Sequence, residues 1–141
     1  MRPLALISIL TFSFSCTTSK QATTAPNQLN GTWVPVRQEL AGKELPKTVY
    51  EMQKLVISDT DYIFTAESVD KGTVKFGGGN KMDLYGKEGV NTGKHFTAIY
   101  KLENGELSVC YNLAGDSYPD SFETKSKSTL FLSVFTKEQV K

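Results

Sequence analysis

Ile99-Tyr100-Lys101-Leu102-Glu103-Asn104-Gly105-Glu106-Leu107-Ser108-Val109 sets an Asn-Gly pair between two runs of alternating apolar and polar residues. Asn-Gly flanked in this way is the strongest short-range signal for a β-hairpin, because both residues tolerate the positive φ that a tight turn demands. A connection this short also forces the two strands to run antiparallel, since a parallel return needs a dozen residues or more.

Working outward, the same grammar repeats. Runs rich in branched and aromatic residues predict strands over 32–40, 54–58, 62–66, 72–76, 81–85, 95–102, 106–113 and 130–136. Ser58-Asp59-Thr60-Asp61 and Gly77-Gly78-Gly79-Asn80 supply further tight turns. One helical stretch is predicted over 48–53, behind Pro46, with Val49 and Met52 on a shared face. Pro35 cannot donate to a ladder, so it predicts a bulge or bend where the first strand changes partners. Eight sequential antiparallel strands leave two exposed edges unless they close. The expected fold is therefore all-β, an eight-stranded antiparallel up-and-down barrel with one short helix. A barrel of that size holds side chains or one small ligand, and no aqueous channel.

Gly31-Thr32-Trp33 at the head of the first strand is similar to the Gly-x-Trp signature of lipocalins. The further stations are Leu55-Val56-Ile57 with Tyr62, Met82-Asp83-Leu84, Ile99-Tyr100-Lys101-Leu102, Gly105-Glu106-Leu107 with Cys110, and Pro119 followed by Phe122. In that order the chain resembles a bacterial lipocalin-like family of small secreted proteins and lipoproteins. The resemblance spans 29–137 and implies a lipocalin-like barrel whose Trp33 plugs the closed end. It implies no activity. Where many relatives carry Arg before the equivalent of Pro119, this chain has Tyr118.

The N-terminus carries one positive charge, Arg2, then an apolar run from Leu4 to Phe14. That length suits a secretory signal and is too short to span a bilayer as a helix. Ser13-Phe14-Ser15-Cys16 resembles a lipobox, although Ser13 and Phe14 depart from its usual Leu and small residue. Residues 1–15 are thus expected to be a signal peptide, with Cys16 acylated and anchoring the mature chain to a membrane of the cell envelope, facing the periplasm or the cell surface. Residues 16–28, poor in apolar side chains, are expected to be a disordered tether, and 29–141 the barrel domain. With Cys16 lipidated, Cys110 has no partner for an intramolecular disulfide.

Losing the signal removes Arg2 and leaves 15 basic against 15 acidic residues, with Arg37 the sole arginine. No basic stripe marks a nucleic-acid binder. His95 is the only histidine, and no Gly-x-Ser-x-Gly elbow presents a nucleophile to it, so it reads as a solvated turn residue rather than a catalytic base. One His and one free Cys cannot make a zinc or iron site. The Gly77–Lys81 run lacks phosphate-loop spacing. Alternation turns Asp83 toward water, opposite Met82 and Leu84, and turns Cys110 away from Val109 and Tyr111 as an inert thiol. No catalytic residue, cofactor or metal is expected, and the chain reads as a monomer and not an enzyme.

The aromatics carry the functional expectation. Trp33, Tyr62, Phe64, Phe96, Tyr100 and Tyr111 recur along the strands. They either fill the barrel or, at its open end, line a cavity in which phenol hydroxyls and Arg37 orient a small apolar ligand; both can hold at different depths. The long 114–129 loop, with Tyr118 and Phe122, is expected to fold over a barrel end as a lid or a partner-contact surface. An interaction module, such as an inhibitor of an envelope hydrolase acting through that loop, is the alternative function.

Overall fold

The computed structural model describes residues 26–139. The signal segment, Cys16 and the tether up to residue 25 lie outside the described residues. Pro26–Leu29 forms a 3₁₀ turn, so the last tether residues are folded onto the domain, and Leu29 is fully buried.

Nine strands follow: β1 (Gly31–Leu40), β2 (Lys43–Glu44), β3 (Lys54–Ser58), β4 (Asp61–Thr65), β5 (Val69–Gly77), β6 (Lys81–Glu88), β7 (His95–Glu103), β8 (Glu106–Asn112) and β9 (Leu130–Lys137). All pair antiparallel with their neighbours, and β1 also pairs β9 from Trp33↔Lys137 to Leu40↔Phe131. The sheet is therefore a closed eight-stranded barrel, with β2 a short extra strand clipped to the end of β1. Closure gives every edge a partner. The expected turns hold: Asp59, Asn80 and Asn104 take positive φ at the three tight hairpins.

Pro35 marks a bulge, as expected. The β1–β9 register shifts between Pro35 and Arg37, with Val36 as the extra residue. One extra residue reverses which face follows. Upstream, Trp33 points into the barrel; downstream, Gln38 is the buried inward residue and Arg37 faces outward.

The helix is shorter than expected. α1 spans Lys47–Tyr50, and its buried side chain is Tyr50, whose hydroxyl donates to Val36 O at 3.1 Å. Val49 and Met52 are exposed. The spacing of two apolar residues in so short a segment misled because packing, not propensity, decides which side faces in.

Inward residues along the strands, from Trp33, Leu55 and Ile57 to Tyr100, Leu107, Val109 and Phe135, form one core. A second core lies outside the wall, where Cys110, Leu130, Leu132 and Val134 pack with Ile99 and Phe122. Phe122 belongs to the 114–129 loop. That loop runs down the outer face of β7, β8 and β9 instead of over an end of the barrel, which corrects its reading as a lid. Apolar residues on the outer faces of β8 and β9 require a cover, and the loop provides it.

Candidate functional site

The two barrel ends differ in construction. At the closed end sit the three tight hairpins and Trp33, whose indole N–H donates to Leu29 O at 2.7 Å and whose ring lies 5.3 Å from Lys137 Nζ. Trp33 is completely buried, which fits the plug that the Gly-x-Trp resemblance implies. The longer connections gather at the other end and leave a hollow of about 410 Å³.

Period-two alternation builds its wall. Leu55 (β3), Tyr62 and Phe64 (β4), Leu84 (β6), Phe96 (β7), Tyr111 (β8), and Phe131 and Phe135 (β9) all line it. Tyr111 stacks on its cross-strand partner Phe131 with ring centres 5.9 Å apart. Tyr62 owes its position to Gly72, its partner on β5: a Cβ there would lie 2.6 Å from the tyrosine ring and 2.2 Å from Tyr85 O. Only a glycine lets that ring lie across the strand.

The polar lining is sparse and comprises Gln38, Asp70, Asn91 and Lys94. Gln38 Nε2 donates to Gln53 Oε1 at 2.6 Å and to Ser133 Oγ at 3.2 Å. Asp70 is 4% exposed and accepts from the Asn91 backbone N–H at 3.0 Å and from Asn91 Nδ2 at 3.2 Å. Burial, and then the charge of Asp70, push the Tyr62 hydroxyl above the usual tyrosine range. Burial foremost, with Tyr62 and Cys110 adding to it, raises Tyr111 further. Both phenols are thus neutral donors in an apolar surround.

Of the residues expected to meet a ligand, Tyr62, Phe64, Phe96 and Tyr111 come together in this hollow. Trp33 and Tyr100 do not line it. Trp33 is the plug, and Tyr100 packs deeper in the core with its ring edge-on to Phe76 at 5.9 Å. Arg37 lies outside the wall, where Nη1 bonds Glu39 Oε2 at 3.3 Å. It shares sequence parity with Trp33, but the Val36 bulge turns it outward and puts Gln38 in its place. Asp70 was missed because β5 begins earlier than residue 72. Continuing the alternation of Phe76, Val74 and Gly72 back by one step would have found it.

Asp83 does face outward, yet it is not left to water. The Tyr118 hydroxyl donates to Oδ2 at 2.5 Å, and His95 Nε2 lies 2.7 Å from Oδ1. The His95 ring stacks on Tyr85 at 4.7 Å. His95 is therefore a fixed structural group, half-buried on the outer wall, and not a free turn residue. Burial raises the Asp83 carboxyl, but hydrogen bonds from Tyr118 and His95 and the charges of His95 and Lys75 outweigh it and hold the group below its ordinary value.

A second hollow of about 580 Å³ lies between residues 79–81, Ile99, Tyr100 and residues 118–122, so Tyr100 borders this hollow and not the first. Two of its polar side chains are engaged: Lys81 Nζ sits 5.1 Å from the centre of the Tyr118 ring, and the Tyr118 hydroxyl donates to Asp83. The inner hollow, apolar and walled by the barrel, is the better candidate site. Among the described residues no group of three His, Cys, Asp or Glu side chains is placed to hold a metal ion.

No protein-family model matches the chain, and no curated protein does. Among solved structures it is similar to a mutant of the fluorescent protein UnaG, at 15% identity and a TM-score of 0.44, over 82% of this chain and 100% of the other. The barrel stands on its own strand pairing.

Proposed function

We propose that this protein is a binding protein, not an enzyme, and that it captures one small apolar or amphipathic molecule without covalent chemistry. The observation that carries this is the hollow of about 410 Å³ at the open end, walled by aromatic and aliphatic side chains with few polar groups. Ligand sites commonly have this size and lining. Each apolar Å² removed from water contributes roughly 25 cal/mol, so the wall provides affinity and the polar groups provide orientation.

The proposal extends to placement. Acylation at Cys16 holds the barrel to a membrane of the cell envelope by a short tether, in keeping with the lipocalin-like lipoproteins that the chain resembles. Interaction through residues 114–129 has weaker support, because that loop spends Phe122, Tyr118 and Thr124 on the barrel wall.

Titration with a neutral fluorescent probe such as Nile red tests the capture. The unaltered chain gives saturable enhancement, and Leu84→Trp, which puts an indole into the hollow, weakens it about tenfold. An affinity unchanged in Leu84→Trp places the probe elsewhere and defeats the reading. For the anchor, bacteria fed an alkynyl fatty acid label the wild-type chain and not Cys16→Ser; equal labelling of both refutes it.

A further inference from the structure

We propose that the molecule held in the hollow is a cationic amphiphile, an alkyl amine in its simplest form, and that Asp70 receives its charged end. This rests on the capture function proposed above and names the class of ligand.

Asp70 is 4% exposed, lines the hollow, and forms no ion pair with any described residue. Asn91 donates once to each carboxylate oxygen. A carboxylate offers about four lone-pair sites, so acceptor capacity remains. The group is also closely backed by the chain. Gly89 backs against it so closely that a Cβ there would come within 2.3 Å of Oδ1, and its φ of +88° is one that glycine tolerates.

The neighbouring polar groups are of matching kind. Tyr62, 6% exposed and lining the same hollow, is near enough to Asp70 to feel its charge. Tyr111 adds a second phenol, and Gln38 a side-chain amide. None of these brings a positive charge. Arg37, the cation that the sequence offered, is outside the wall.

Among the described lining residues the one cation is Lys94. It is exposed, and its Nζ donates to Asn91 Oδ1 at 3.2 Å, so the Asn91 amide stands between it and Asp70. A charge at the rim is screened by water and salt, whereas one in the wall is screened much less. An incoming anion would be repelled by the Asp70 carboxylate, and an incoming ammonium would pair with it. The inner charge decides the sign.

The test is competition against Nile red on the full chain at neutral pH, using decylamine, decanol and decanoate, which share a chain and differ in the head. Decylamine should bind about tenfold or more tighter than decanoate, with decanol between them. Asp70→Asn, which keeps an acceptor for the Asn91 N–H, should bring amine and acid to within about twofold of each other. Decanoate binding as tightly as decylamine, or a gap that persists in Asp70→Asn, overturns the proposal while capture itself stands. If Nile red fails to bind at all, the capture function falls, and this inference with it. Should Asp70→Asn lose its folded circular dichroism, the head-group series on the unaltered chain decides alone.

Discussion

Trp33 shows how one side chain can serve both packing and polarity. Its ring fills the closed end, and its N–H answers a buried carbonyl, Leu29 O, that would otherwise be unpaired. Trp33→Phe keeps most of the volume and removes the donor, so a loss of about 2 kcal/mol is expected, read from the urea midpoint. Gly72 works by having no side chain. Gly72→Ala drives a methyl into Tyr85 O and the Tyr62 ring, and should cost about 2–3 kcal/mol while lowering probe binding, because Tyr62 must move. Cys110 is completely buried, and burial pushes its thiol up to about 11. In a Cys16→Ser chain at pH 8, a disulfide reagent should label Cys110 only as fast as the protein opens, and denaturant should make labelling immediate.

The outer loop is the element whose role was hardest to foresee. Asn112 launches it, donating through Nδ2 to Asp116 Oδ1 at 2.8 Å and to Ser117 O at 2.9 Å. Asp83 clasps it through Tyr118, Phe122 covers the outer core, and Thr124 Oγ1 accepts from the Gly42 N–H at 2.8 Å and donates to Glu39. The folded state holds Asp83 below the reference value of 3.8, so the clasp contributes fully above that pH and is lost as acid protonates the carboxylate through its lowered folded value. Asp83→Asn should therefore cost about 1–2 kcal/mol near pH 7 and almost nothing in strong acid. Amide hydrogen exchange at residues 115–120 should quicken in the variant at neutral pH; equal protection in both proteins would show that the clasp contributes nothing. Strands and tight turns were legible in the sequence because alternation and Asn-Gly or Asp-rich turns are local signals. The loop's course was not, since it depends on β9 being apolar on both faces, with Cys110 beside it on the outer face of β8. That pattern stands in the sequence as Leu130-Phe131-Leu132-Ser133-Val134-Phe135, but it reads equally as a strand buried inside the barrel. Half the binding wall was readable for the same reason: Tyr62, Phe64, Phe96 and Tyr111 obey simple alternation. Arg37 and Gln38 were exchanged by a single inserted residue, whose exact place no local rule fixes.

At the scale of the molecule, that insertion ties the wall to the site. Deleting Val36 would make β1 a regular strand while leaving Arg37 outward opposite Val134 and Gln38 inward opposite Ser133, at the expense of the bend and of the carbonyl that the Tyr50 hydroxyl meets. The expected result is a chain that still unfolds cooperatively and binds Nile red saturably but is less stable by about 1–2 kcal/mol, checked by urea titration. Closure has another outcome. The 3₁₀ turn at Pro26–Leu29 and the end of β9 meet beside Trp33, with Glu138 N bonded to Thr32 O at 2.9 Å and Lys54 Nζ to Glu138 Oε1 at 2.5 Å. Pro26 thus sits at the plugged base, the foot of a cup. The brim stands at the opposite pole, so the anchor proposed at Cys16 would grip the foot and leave the mouth unobstructed.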